Sequence, residues 1–232
     1  MGGTDASRRV GYYAALLVAA LGIVTFVMAY LTPPISGPFC LTNCIEYPYN
    51  DIISRFPRDY LWLFPAMALS ITYFVLMACI HDFAPLEQKL YTRIALCFAI
   101  TATAVLVIDY FVQLSVIQAS VMHNEREGIA LLTQYNPHGV FIALEEVGFV
   151  FMSLSFFSAA PVFSGKNSLE RAIRLLLRIG IVLTALAFVV CTVMYGLDRE
   201  YRFEVASISI NWGILMTGGV LLAFFFRRRS TE

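Results

Sequence analysis

The sequence predicts an all-α fold, a bundle of six transmembrane helices, on three observations. Hydrophobic residues make up 59% of the 232-residue chain and charged residues only 14%, against roughly 25% charged in a soluble domain. Six apolar stretches are each about twenty residues or longer, enough to cross ~30 Å of hydrocarbon. The basic residues are also uneven: eleven of the 16 Lys and Arg fall on one set of termini and connections, five on the other. Backbone facing lipid must satisfy its own hydrogen bonds, so stretches of this composition are read as helices.

The six spans are expected at Val10 to Leu31, Leu61 to Ile80, Ile94 to Ala119, Val140 to Phe163, Leu175 to Tyr195 and Ala206 to Phe226. They take up most of residues 1–232, which predicts one transmembrane domain and no sizeable soluble one. The first stretch exceeds the ~7–15 residues of a signal-peptide core and no small-residue cleavage site follows, so it reads as a retained span. The start, Met1 to Ala6, misses the myristoylation pattern because Ala6 is neither Ser nor Thr.

With the amino terminus in the cytoplasm, the eleven inner basic residues are Arg8, Arg9, Lys89, Arg93, Lys166, Arg171, Arg174, Arg178 and Arg227 to Arg229. The outer ones are Arg55, Arg58, Arg126, Arg199 and Arg202. The excess of basic residues in cytoplasmic segments therefore predicts both termini inside. These residues sit at helix ends, which argues against a nucleic-acid site. The Arg227 to Arg229 run reads as a stop after the last span, with contact to anionic lipid the alternative.

The inner connections are short. In one, Asn167 or Ser168 is expected to cap the fifth helix. Leu86-Glu87-Gln88-Lys89 before the third span faintly echoes Leu169-Glu170-Arg171-Ala172 before the fifth, and both read as ordinary charged helix starts. The outer connections are longer. Thr32 to Asp59 holds five prolines and two cysteines, and Cys40 and Cys44 are expected to be disulfide-bonded where the compartment is oxidising. Val121 to Asn136 contains the apolar run Ile129 to Leu132, expected as a short interfacial helix. Asn136-Pro137 suits the cap and first turn of the fourth helix. Tyr30, Tyr60, Trp62, Tyr135, Tyr195 and Tyr201 gather near the outer interface, where belt anchoring explains them.

Ionised groups inside hydrocarbon need a partner, a proton or water. This makes Asp109, Glu145 and Glu146 the most informative residues. At 1.5 Å per residue, Glu146 lies ~10 Å, Asp109 ~15 Å and the Asn211-Trp212 pair ~8 Å below the outer ends of their spans. Gln113 lies one turn above Asp109 on the same face. The shared depth of Asp109, Gln113, Glu145, Glu146 and Asn211 predicts one outward-facing polar cavity, with His138 at its mouth and Trp212 beside it. Glu145 and Glu146 are about 100° apart around the helix, so one is expected to face the cavity and the other a neighbouring helix. The opposing reading is a structural lock, in which the acids pair with Arg199 or Arg202, or share hydrogen bonds with Gln113 and Asn211. Three acids against two loop arginines predict at least one protonated carboxyl at neutral pH.

No cofactor is expected. His123, Glu125, Glu127 and His138 lie around one loop but match no metal-ligand spacing. None of the three histidines falls mid-span, which argues against bis-histidine haem, and no lysine lies within a span to carry a retinal. There is no phosphate loop, nucleotide fingerprint or glycosylation sequon. Cys79, Cys97 and Cys191 read as packing residues.

Three functions follow. The leading one is binding or transport of a small cationic or amphipathic ligand, or of protons. The second is a membrane-embedded enzyme acting on a lipid or isoprenoid, with a buried carboxyl as general acid or base. The third is a non-catalytic subunit of a larger complex. A water-filled funnel favours the first, a slot open sideways to lipid the second, and a closed hydrogen-bonded cluster the third. The expected partners are the lipid bilayer, a small-molecule or lipid ligand, and a second copy or other membrane subunits; nucleic acid is not among them.

Overall fold

The structure is a computed structural model that describes residues 5–32 and 34–228. The first four residues, the last of the three consecutive arginines and the carboxyl terminus lie outside it. Six helices are long and apolar enough to span a membrane. They are α1 (Asp5–Leu31), α2 (Leu63–Phe83), α3 (Lys89–Val112), α6 (Val140–Ala159), α7 (Ser168–Tyr195) and α8 (Tyr201–Arg228). Two short helices, α4 (Gln118–Met122) and α5 (Ile129–Leu132), lie in the connection between α3 and α6. The run expected as an interfacial helix is therefore helical.

The long helices form an up-and-down ring in chain order, each packed on the next, and α1 closes it against α8. Within the ring α6 also reaches α8 and α2. An even number of crossings leaves both ends of the chain at one end of the bundle, here called the terminal end. The other, the loop end, carries the disulfide between Cys40 and Cys44. Close approach closes the ring. A Cβ at Gly219 would lie 2.6 Å from the Ala15 carbonyl oxygen, so only glycine lets α1 and α8 touch there. Gly148 likewise receives the Leu106 side chain between α6 and α3.

Outward-pointing residues of the long helices are exposed and apolar, among them Leu17 and Ile23 on α1 and Val182, Leu186 and Val193 on α7. That is the surface a bilayer covers. The terminal end is plugged by edge-to-face aromatic rings, with Phe83 and Phe163 5.4 and 5.3 Å from Phe225.

The helix ends refine the expected spans. Asn167 caps α7 as expected, its Oδ1 accepting from the Glu170 N–H at 2.9 Å. The fourth span begins at Val140 as expected, but Asn136 and Pro137 are not the cap and first turn of its helix. Asn136 folds its side chain over the turn, Oδ1 accepting from the His138 N–H and Nδ2 donating to the Ala130 carbonyl, so α6 starts only at Val140. Asn136 thus closes a turn rather than capping a helix. At the sixth span the difference is larger: α8 starts at Tyr201, five residues before the expected Ala206, and takes Glu204 into the bundle.

Candidate functional site

The adjacent acids of α6 have separate surroundings. Glu146 points to the turn after α7, where Arg199 grips both its oxygens, Nη2 at 2.6 Å and Nε at 3.2 Å. The guanidinium also lies over the rings of Phe188 and Phe203, at 5.1 and 5.8 Å. A two-pronged bond to a cation stacked on aromatic faces is a strong fixed contact.

Two more of the expected residues are engaged within the protein. Asn211 accepts from Ser153 Oγ at 3.1 Å, Ser153 also meets Thr184 Oγ1 at 3.0 Å, and Asn211 Nδ2 donates to the Ser207 carbonyl. This chain ties α6, α7 and α8 together. Gln113 begins a π-helical turn (Gln113–Ile117) at the end of α3. Its amide nitrogen, Nε2, donates to the Leu132 carbonyl at 2.7 Å and its Oε1 accepts from the Gln134 N–H at 2.9 Å. It holds the connecting loop onto the bundle. His138 stays at the surface, 3.9 Å from Glu200.

Glu145 is different. It is fully buried, and it lines a cavity of about 320 Å³ in the loop-end half of the bundle. Tyr110 donates to Oε1 at 2.7 Å. Among the described residues Oε2 has no donor, and the carboxyl of Glu204, also on the cavity wall, is the acid nearest in influence to that of Glu145. Asp109 approaches Glu145 from α3 without lining the cavity, and its Oδ2 also lacks a partner. A third acid on the cavity wall, Asp59, is buried just before α2 and takes the Arg58 Nε at 2.7 Å. Among the described residues that line the cavity there is no Lys, Arg or His.

The rest of the wall is mainly apolar and aromatic. Trp62 and Trp212 meet edge to face at 6.4 Å, and Phe26 packs on Trp212 at 6.5 Å. Tyr135 and Tyr201 form the side toward the loops. These two tyrosines and Tyr60 are buried and do not anchor a membrane belt. The loops fold back over the bundle and enclose them. Tyr201 shows how: its hydroxyl meets Ser36 Oγ at 2.8 Å and donates to the Gln134 carbonyl at 3.2 Å. Burial pushes the Tyr135 phenol above its usual range, keeping it neutral. Between α1 and α8 the wall is formed by Phe26, Tyr30 and Val205, all exposed on the outside of the bundle. The cavity therefore reaches the outer surface of the bundle between α1 and α8.

Of the residues singled out by depth, Glu145 and Trp212 line this cavity. Asp109 lies close behind the wall, while Glu146, Gln113, Asn211 and His138 are held elsewhere by the partners named above. Sequence reasoning missed Glu204, which the expected spans leave in the connection between Tyr195 and Ala206. A signal was present: Glu204, Ser207 and Asn211 recur at three and four residues, one helical face. Among the described residues no group of three or more His, Cys, Asp and Glu is arranged to hold a metal ion. Comparison with protein-family models, curated proteins and solved structures finds no match.

Proposed function

We propose that this protein binds an amphipathic cation in the loop-end cavity. The observation that carries the reading is Glu145: a fully buried carboxyl on an aromatic wall, with an oxygen that, among the described residues, has no donor and no basic side chain beside it on the cavity lining. A cationic head set against Glu145 and Glu204 supplies the missing counter-charge. The faces of Trp62, Trp212 and Tyr201 attract the same charge. The ligand's apolar part lies along Phe26 and Ile208 toward the lipid-facing rim, so the ligand enters from the bilayer or its interface. Asp109 supports the site from behind, while Glu146, Gln113, Asn211 and His138 position its walls.

The chain's two tryptophans both line the cavity, so intrinsic fluorescence reports its occupancy. Octyltrimethylammonium added to the protein in lipid nanodiscs is expected to give a saturable change in that fluorescence. Glu145→Gln is expected to weaken the binding about tenfold to a hundredfold, a charge-assisted contact of roughly 1.5–3 kcal/mol. An unsaturable response equal to that of a neutral octyl ether would refute the reading.

The lipid-facing rim also favours the second reading, an enzyme acting on a lipid-borne substrate. Glu145 would then be the general acid or base, oriented by the Tyr110 hydroxyl. Product formed from membrane lipids by the native protein, and lost in Glu145→Gln, distinguishes turnover from binding. The proposed orientation puts both termini in the cytoplasm and the cavity outward. The excess of basic residues at the terminal end and the disulfide at the loop end both support it.

A further inference from the structure

We propose that the cavity exchanges a proton for its cation: Glu145 and Glu204 share one proton when no cation is bound, and release it when a cation settles against them. This rests on the binding reading above. The geometry supplies the argument. The two carboxyls, from α6 and α8, line the same cavity and interact, with Glu145 fully buried and Glu204 7% exposed. Tyr110 donates to one oxygen of Glu145, and among the described residues the other has no donor, which a proton held between the acids would supply. Two interacting carboxylates in a dry site cannot both stay ionised without a cation.

The surroundings offer no substitute. From α3 the pair faces Tyr110 and Asp109, the latter a further acid. On the rest of the cavity wall Tyr201 comes from α8, Tyr30 from α1 and Tyr135 from the connecting loop, all phenols. Asp59 is held by Arg58, and on α6 itself Glu146 is held by Arg199, which leaves neither arginine for the pair. Charge balances across the exchange. The protonated pair carries one negative charge, the bound complex carries two against the ligand's one positive, and one proton passes to the water at the loop end. Cation binding thereby becomes coupled to proton movement at a membrane surface.

The test is calorimetry of octyltrimethylammonium binding to the full chain in nanodiscs, with protein-free lipid discs as background. Its charge does not titrate, so any proton exchanged comes from the protein. Titrations at pH 7 in phosphate and in Tris, whose ionisation heats differ, count the protons released. About one per ligand bound is expected, with affinity rising about tenfold per pH unit where the pair is protonated. Glu204→Gln, checked for folding by size exclusion, leaves a single carboxyl with an amide donor and is expected to bind with almost no proton release. Binding by the native protein with equal heats in both buffers and no pH dependence overturns the exchange and leaves the binding reading intact. No binding in either buffer overturns the binding reading, and the exchange falls with it.

Discussion

One residue of offset, about 100° around a helix, sends Glu145 into the cavity and Glu146 onto Arg199. The second contact is structural in its surroundings: a two-pronged ion pair, roughly a quarter of the arginine side chain exposed, roofed by two phenylalanine rings. Removing one member leaves the other charged and mostly buried. Arg199→Met is therefore expected to destabilise the protein by about 2 kcal/mol, below the 3–5 kcal/mol of a fully buried pair because water reaches this one. The double variant Glu146→Gln with Arg199→Met is expected to recover much of that loss. Thermal aggregation followed by size exclusion reads both effects. A double variant no more stable than Arg199→Met would mean that the guanidinium acts through its aromatic stacking. Glu146 and Glu145 are both acids in one span, and their residue type alone does not separate a lock from a site.

At the scale of elements, the π-helical turn at Gln113–Ile117 and the connecting loop work as one unit. A π turn inserts one residue into a helix and commonly marks a functional position. Here it carries Gln113, whose amide holds the backbone of Leu132 and Gln134. Gln134 in turn donates to the Asp59 carbonyl, and Gln134 and Tyr135 close the cavity toward the loops. Gln113→Leu keeps the volume and removes both bonds. Hydrogen exchange at residues 132–135 is expected to quicken by about an order of magnitude, from the loss of roughly 1 kcal/mol per bond. Exchange in the centre of α7 is expected to stay unchanged. Within the loop the apolar run Ile129 to Leu132 stands out in the sequence. The anchoring of Leu132 and Gln134 to α3 does not, since those bonds join residues about twenty positions apart.

For the whole molecule, the ring of helices closes only because α1 and α8 meet at small residues toward the terminal end and separate around aromatic ones toward the loop end. This makes a bundle plugged by phenylalanines at one end and hollow at the other. Its proposed sidedness in the membrane rests on charge. A reporter fused after the last residue, Glu232, is expected to read as cytoplasmic, and labels placed in the disulfide loop as external. A reporter active outside would reverse the orientation and place the cavity on the cytoplasmic side.

By itself the sequence determined that the chain is an all-α membrane bundle, how many spans it has, roughly where each lies, and that acids sit at membrane depth. Those properties are local: a run of apolar residues must be helical in lipid wherever it packs, and the Cys40–Cys44 pairing spans only a few residues. The tertiary structure alone decided which acid faces the cavity, that Glu204 joins it, and that Tyr135, Tyr201 and Trp62 wall it. Each of these depends on how helices distant in the chain rotate against one another and on loops folding back over the bundle. Glu204 shows the boundary most plainly. Beside Arg199, Glu200 and Arg202 it has the composition of a solvated loop, and only the packing of α8 against α1 and α6 carries it into the interior beside Glu145.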